Sequence, residues 1–229
     1  MKTKVVCMGD SITEGFGLKE EESYPYRLRQ LLGDDFTVVN KGVCCCTAMN
    51  LTLNGEVMGS PYVRQERYRE ALAEKGDIYV ILLGTNDAQD GLDDVEEVTH
   101  PLLNMISRKA EFTACYQAII ASVRKAAPEA FVYIGIPAPI MQCIWRRHQE
   151  KYLQEIIPFL EELPAVNKGL GRIDIHAAFM QLSEEERQTL YQEDGLHPNE
   201  KGAALIARTV YEAVKNNRKI SEKNSVTFS

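Results

Sequence analysis

Ser11, Asn86, Asp194 and His197 are the side chains in this sequence whose types and settings suit acyl chemistry. A serine hydroxyl is a weak nucleophile until a base takes its proton during attack. The chain has 4 histidines, so the search for that base is short. His197 lies in Asp194-Gly195-Leu196-His197-Pro198-Asn199. An Asp placed just before it can fold back through a turn and accept the Nδ1 proton, which fixes the tautomer and leaves Nε2 to meet a serine. A plainer reading makes Asp194 and Asn199 turn and cap residues, with His197 incidental, because Asp-Gly and Pro-Asn are common turn dipeptides.

Ser11 sits in Gly9-Asp10-Ser11-Ile12-Thr13, directly after an apolar segment. Ser11 or Thr13 would serve there as a helix N-cap. Both roles are compatible, since a serine at a strand-to-helix turn exposes its hydroxyl and aims its N–H where negative charge develops. The side-chain amide of Asn86, in Gly84-Thr85-Asn86-Asp87, can donate to an oxyanion, a bond that contributes about 3–4 kcal/mol in such sites. Read alone, it would be a turn residue.

The elements that must position these groups alternate along the chain. Lys4–Met8, Phe36–Asn40, Ile78–Leu83, Phe131–Ile136 and Arg172–Ile175 read as strands. Ile78–Leu83 is almost continuously apolar, as expected of a parallel strand covered on both faces. Tyr116, Ile119, Ile120, Val123 and Ala127 form one helical stripe, which Pro128 ends. Ala203, Ile206, Ala207, Val210 and Val214 form another. Tyr24–Leu32 and Ile144–Leu163 are weaker helices, the second interrupted or bent at Pro158. This alternation predicts an α/β fold with a parallel sheet flanked by helices, whose functional groups gather beyond the carboxyl ends of the strands. Gly9-Asp10-Ser11, Asn40-Lys41-Gly42 and Gly84-Asp87 all fall at such ends. Leu51–Arg69 and Ala88–Ser107 read as long insertions, the latter partly helical. The expected organisation is one domain over residues 1–215, with a polar tail, 216–229, that frays after the last helix.

Together these stretches resemble the SGNH, or GDSL-like, hydrolase family. They are Gly9-Asp10-Ser11-Ile12-Thr13, Asn40-Lys41-Gly42-Val43, Gly84-Thr85-Asn86-Asp87 and Asp194-Gly195-Leu196-His197-Pro198-Asn199, in the family's order and spanning nearly the whole chain. The resemblance implies a flavodoxin-like three-layer α/β/α sandwich with a five-stranded parallel sheet. It implies Ser11 as nucleophile, His197 as general base and Asp194 as its orienting acid. The Ser11 N–H and the Asn86 side chain would be oxyanion donors, and no metal or organic cofactor is implied. One departure stands out. The family's second block usually places a glycine, as a third N–H donor, where this chain has Cys45. The N–H survives, but cysteine tolerates positive φ and close approach less well than glycine. The pocket would then narrow toward small acyl groups.

The regions Gly55–Asp90 and Ile136–Ile140 are similar to SGNH members that act as sialate or carbohydrate O-acetylesterases. The expected substrate is therefore a small acyl ester, acetyl first, on a sugar. Tyr62, Tyr68, Met141 and Trp145 would line the side that receives the alcohol, or else pack as ordinary loop residues. Two alternatives are a lysophospholipase or thioesterase for longer chains, and a non-catalytic carbohydrate-binding scaffold.

A net charge of −7 disfavours nucleic acid and anionic membrane surfaces as partners. The N-terminal residues lack the pattern of a secretory signal, which makes the cytoplasm the expected location. The 6 cysteines, three of them consecutive as Cys44-Cys45-Cys46, suit reduced thiols. Cys45 is a remote second choice as nucleophile, and Cys7, Cys115 and Cys143 are expected in the core. Asp174 and His176 are read as structural or pocket-lining, and His100 and His148 as solvated. Asp10 and Asp87 would suit a metallophosphoesterase only with histidine ligand spacings that the sequence does not supply.

Overall fold

The computed structural model describes residues 2–50, 52–53, 56–57, 59–88, 109–144, 148–167 and 169–226. His100, Trp145 and the insertion after Ala88 lie outside them, so the expectations placed there are not addressed.

Five strands build the central sheet: β1 (Thr3–Gly9), β2 (Phe36–Gly42), β3 (Ile78–Leu82), β4 (Phe131–Ile136) and β5 (Leu170–Asp174). Every pairing is parallel and the spatial order is β2-β1-β3-β4-β5. That is the doubly wound flavodoxin order, with its switch point at β1 and β3. Strand alternation sends side chains to two layers. Val6, Met8, Tyr79, Ile81, Val132 and Ile134 join one core cluster, while Val5, Cys7, Val80, Leu82 and Ile173 join the other.

The helices supply the outer layers. In chain order they are α1 (Ser11–Glu14), α2 (Tyr24–Leu32), α3 (Glu66–Ala73), α4 (Lys109–Ala126), α5 (Glu150–Val166), α6 (Ile175–Met180), α7 (Glu184–Gln188) and α8 (Glu200–Val226). The α4 stripe Tyr116, Ile119, Ile120, Val123 is buried beside Tyr68 and Ala71 of α3 and Leu153, Ile156 and Leu160 of α5. The α8 stripe Ala203, Ile206, Ala207, Val210, Val214 covers the opposite face with Tyr24 and Leu28 of α2 and Phe179 of α6. Both faces of the sheet are thus sealed, which is why the strands lack polar alternation.

Several boundaries differ from the sequence reading. β5 begins at Leu170 and ends at Asp174, whose carboxylate accepts the Ala177 N–H at 2.8 Å and so starts α6 at Ile175. α5 starts at Glu150 and runs through both Pro158 and Pro164 without a break. Each proline removes one donor, and burial of Leu153, Ile156, Leu160 and Leu163 along one stripe outweighs that loss. α8 continues to Val226, so the polar segment from Asn216 extends the helix where fraying was expected. Among the described residues, no helix is long and apolar enough to cross a membrane.

Candidate active site

The first three polar blocks converge because their strands are neighbours with level ends. Gly9 pairs with Gly42 of β2 on one side and with Leu82 of β3 on the other. Asp10 caps α1, its Oδ1 accepting the Ile12 N–H at 3.0 Å, so the cap is Asp10 and not Ser11 or Thr13. Ser11 becomes the first helical residue, with its side chain beyond the sheet edge. Gly42 lets β2 approach this turn closely, since a Cβ there would lie 2.1 Å from the Glu14 nitrogen. The Val43 N–H donates to the Gly9 carbonyl at 3.0 Å. The Glu14 carboxylate accepts the Cys44 N–H at 2.7 Å, and Asn40 Nδ2 donates to the Glu14 carbonyl at 3.2 Å.

The fourth block arrives from the far end of the chain. Asn199 caps α8, accepting from the N–H groups of Lys201 and Gly202. Its amide donates back to the carbonyls of Thr189 and Tyr191, closing the loop that carries His197. Within it, Asp194 Oδ1 accepts the backbone N–H groups of Leu196 and His197, both at 2.9 Å. Oδ2 faces His197 Nδ1 at 2.7 Å, and His197 Nε2 lies 2.8 Å from Ser11 Oγ. The turn-and-cap reading of Asp194 and Asn199 is therefore correct and coexists with the relay. A second loop steadies the first: Met141 N donates to the Gly195 carbonyl and Ile144 N to that of Asp194.

Ser11, Asp194 and His197 are all buried, at 5%, 9% and 6% exposure, which keeps the relay out of bulk water. Burial pushes the Asp194 carboxyl up, but the N–H groups of His197 and Leu196 and the imidazole itself outweigh that and hold it below its ordinary value. A carboxylate that stays ionised at this spot fixes the imidazole tautomer that leaves Nε2 as an acceptor.

Asn86 is brought to the same edge, its Nδ2 donating to the Cys46 carbonyl at 3.1 Å. Cys45 has φ +61°, so the chain takes at this cysteine the left-handed path that glycine would favour. That costs roughly 1–2 kcal/mol for a residue with a Cβ. The departure in the second block is thus absorbed as local strain and not as a change of course. Cys45 is exposed, while burial and the Glu14 carboxylate push Cys44 up to about 12, and burial does the same to Cys46. The imidazole that a thiol nucleophile would need is already bonded to Ser11.

Asp87 ties the third block to the second, its two oxygens accepting the N–H groups of Ala48 and Met49 at 2.9 and 3.0 Å. Each oxygen thus holds one backbone N–H of the segment that follows the second block. Asp10 is buried beside it. Desolvation pushes Asp10 up to about 7, with the Asp87 charge adding, and pushes Asp87 up to about 6. Among the described residues, no group of three or more His, Cys, Asp or Glu side chains is placed to hold a metal ion.

Other residues singled out from the sequence turn out to be structural. Tyr62 and Tyr68 are buried in the core and pack ring edge against ring face, with centroids 5.7 Å apart. His176 Nε2 meets Glu150 Oε1 at 2.8 Å, and Glu150 Oε2 accepts the Ile140 N–H, so the pair braces the loop after β4. His148 is buried at 5% exposure, contrary to the solvated reading. Cys7 is buried as expected, whereas Cys115 and Cys143 are half-buried.

Two residues at the site carried no signal in the sequence. The Phe16 ring packs on the His197 imidazole, with centroids 4.5 Å apart and planes tilted by 36°. Gln192 Nε2 donates to the Phe16 carbonyl at 2.7 Å and to the Pro198 carbonyl at 3.2 Å.

A doubly wound parallel sheet thus carries a buried Ser-His-Asp hydrogen-bond chain at its strand ends. Residues 7–205 match the GDSL-like Lipase/Acylhydrolase family, and the chain belongs to it. An acetylxylan esterase from Xylanibacter ruminicola is 32% identical over 225 residues, covering 93% of this chain and 43% of that protein. The chain thus spans less than half the length of that relative. Among solved structures, a carbohydrate acetylesterase from Sinorhizobium meliloti superimposes with a TM-score of 0.69 at 16% identity, over 94% of this chain and 99% of that one. The native aryl esterase of M. smegmatis gives 0.66 at 17% identity, over 93% and 99%. At such identities these two likenesses speak to the fold.

Proposed function

We propose that this protein is a serine esterase that removes small acyl groups, acetyl above all, from carbohydrates. The observation that carries the reading is the continuous relay from Asp194 through His197 to Ser11, with both contacts at 2.7–2.8 Å. In the first step Ser11 Oγ gives its proton to His197 Nε2 and forms a bond to the acyl carbon. The negative charge gathers on the carbonyl oxygen, where the N–H groups of Ser11 and Cys45 and the Asn86 amide donate to it. His197 then protonates the alcohol oxygen as its bond to the acyl carbon breaks. Water repeats the sequence against the acyl-enzyme and releases the acid.

The acetyl-sugar substrate is supported by the acetylxylan esterase relative and by the fold shared with a carbohydrate acetylesterase. The domain reading accompanies it: both core clusters pack against the one central sheet. A cytoplasmic location fits the 6 cysteines, all free thiols. The test is hydrolysis of p-nitrophenyl acetate and of acetylated xylo-oligosaccharides by the parent chain and by Ser11→Ala. Turnover by the parent with loss of several orders of magnitude in the variant is expected. Undiminished hydrolysis by a folded Ser11→Ala would reject the assignment.

A further inference from the structure

A large apolar side chain left in water beside a general base needs a reason. Phe16 is 46% exposed, yet its ring rests on the imidazole of His197. Ser11, Phe16 and His197 border one small hollow together with Leu18, Pro198 and Ile206. The placement is built and not incidental. The Phe16 N–H donates to the Ser11 carbonyl at 3.0 Å, so the residue hangs from the nucleophile turn. Gly17 follows with φ +73°, and a Cβ there would lie 2.3 Å from the Gln192 side-chain oxygen. Gln192 in turn donates from its side chain to the carbonyls of Phe16 and Pro198, and from its backbone to that of His197 at 2.9 Å. One side chain therefore staples the loop of the nucleophile to the loop of the base, residues far apart in the chain, and holds the aromatic ring in its place.

Resting on the esterase reading, we infer that Phe16 is the platform for the leaving alcohol, its exposed ring face receiving the apolar face of the sugar that carries the acyl group. The chemistry locates the alcohol there. His197 must deliver its proton to the alcohol oxygen as the bond to the acyl carbon breaks, so that oxygen stands beside the imidazole. The group attached to it extends past the imidazole, and Phe16, packed on that ring and 46% exposed, is placed to meet it. A pyranose presents flat C–H surfaces, which an aromatic ring covers without asking for a specific hydroxyl pattern. Such a platform selects for the alcohol and is indifferent to the acyl group, which enters from the oxyanion side.

The test holds the acyl group constant and changes the alcohol. For the parent, Phe16→Leu and Phe16→Tyr, kcat/KM is measured on ethyl acetate and on acetylated xylobiose, with thermal melts to confirm folding. In Phe16→Leu the ratio of sugar ester to ethyl acetate should fall about tenfold, the upper range for one aromatic contact. Most of the change should appear in KM, and Phe16→Tyr should recover the ratio. An unchanged ratio, even with both activities lowered, means that the ring serves only to support the imidazole and overturns the proposal. So does a fall that Phe16→Tyr fails to recover. A parent chain inactive on both esters overturns the esterase reading itself, a result separable from the others.

Discussion

Replacing Asp194 by Asn tests the relay at a single atom. Oδ1 of Asp194 accepts two backbone N–H groups, from Leu196 and His197, and Oδ2 takes the Nδ1 side of the imidazole. An asparagine has one oxygen to place. Turning its NH₂ toward the two backbone donors would leave both unsatisfied in a buried turn, at about 1–3 kcal/mol each. The oxygen therefore stays with the backbone, and the NH₂ faces Nδ1. Nδ1 must then accept, the ring proton moves to Nε2, and the 2.8 Å contact to Ser11 Oγ becomes a donation from the ring. A base that already holds a proton cannot take another. The expected loss in kcat is on the order of 10⁴, the scale seen when a triad imidazole is held in the wrong tautomer, or about 5 kcal/mol of barrier. The turn keeps its two backbone bonds, so the melting temperature should change little. Initial rates on p-nitrophenyl acetate, with Ser11→Ala subtracted as background, read the outcome. A folded Asp194→Asn within tenfold of the parent would refute the tautomer argument.

Two further outcomes concern stability. Asp10 and Asp87 have folded-state values raised to about 7 and about 6, so their contribution is fully present below the ordinary carboxyl value and is lost as pH rises through the raised ones. Asp10→Asn keeps an oxygen for the Ile12 N–H and removes one titration, worth up to about 1.4 kcal/mol per pH unit in that window. Its melting temperature should therefore gain on the parent between pH 4 and pH 8, by roughly that slope; parallel curves would show that Asp10 is ionised without penalty. Cys45→Gly removes the Cβ from a left-handed residue and should stabilise the fold by about 0.5–1 kcal/mol after the added unfolded-state freedom is counted. A lower denaturation midpoint for this variant would mean that the cysteine side chain makes contacts that outweigh the strain.

The parts of this molecule that could be read from sequence are those set by short-range pattern. β3 is continuously apolar because helices cover both its faces, and the buried stripes of α4 and α8 follow from a helical period with one inward side. Ser11, Asn86, Asp194 and His197 were legible as ordered motifs next to those elements. What was missed depends on contacts between distant segments. β5 starts two residues earlier than its apolar run, and includes Gly171 because a Cβ there would lie 2.5 Å from the Tyr133 ring. Tyr62 and Tyr68 offered surface and burial equally to a one-dimensional reading, and only their neighbours in space decide for the core. His148 is buried although charged residues flank it in the sequence, a setting that a one-dimensional reading takes for a solvated stretch. Phe16 and Gln192 are joined by a contact across 176 positions, which no local pattern announces.

The bond between Ser11 and His197 closes a span of 186 positions, from the turn after the first strand to the loop before the last helix. On the proposed roles, the hydroxyl of Ser11 meets its base only once these two distant segments have come together. On that reading, a turnover assay would report the closure of tertiary structure, which spectroscopy of secondary structure alone would report too early.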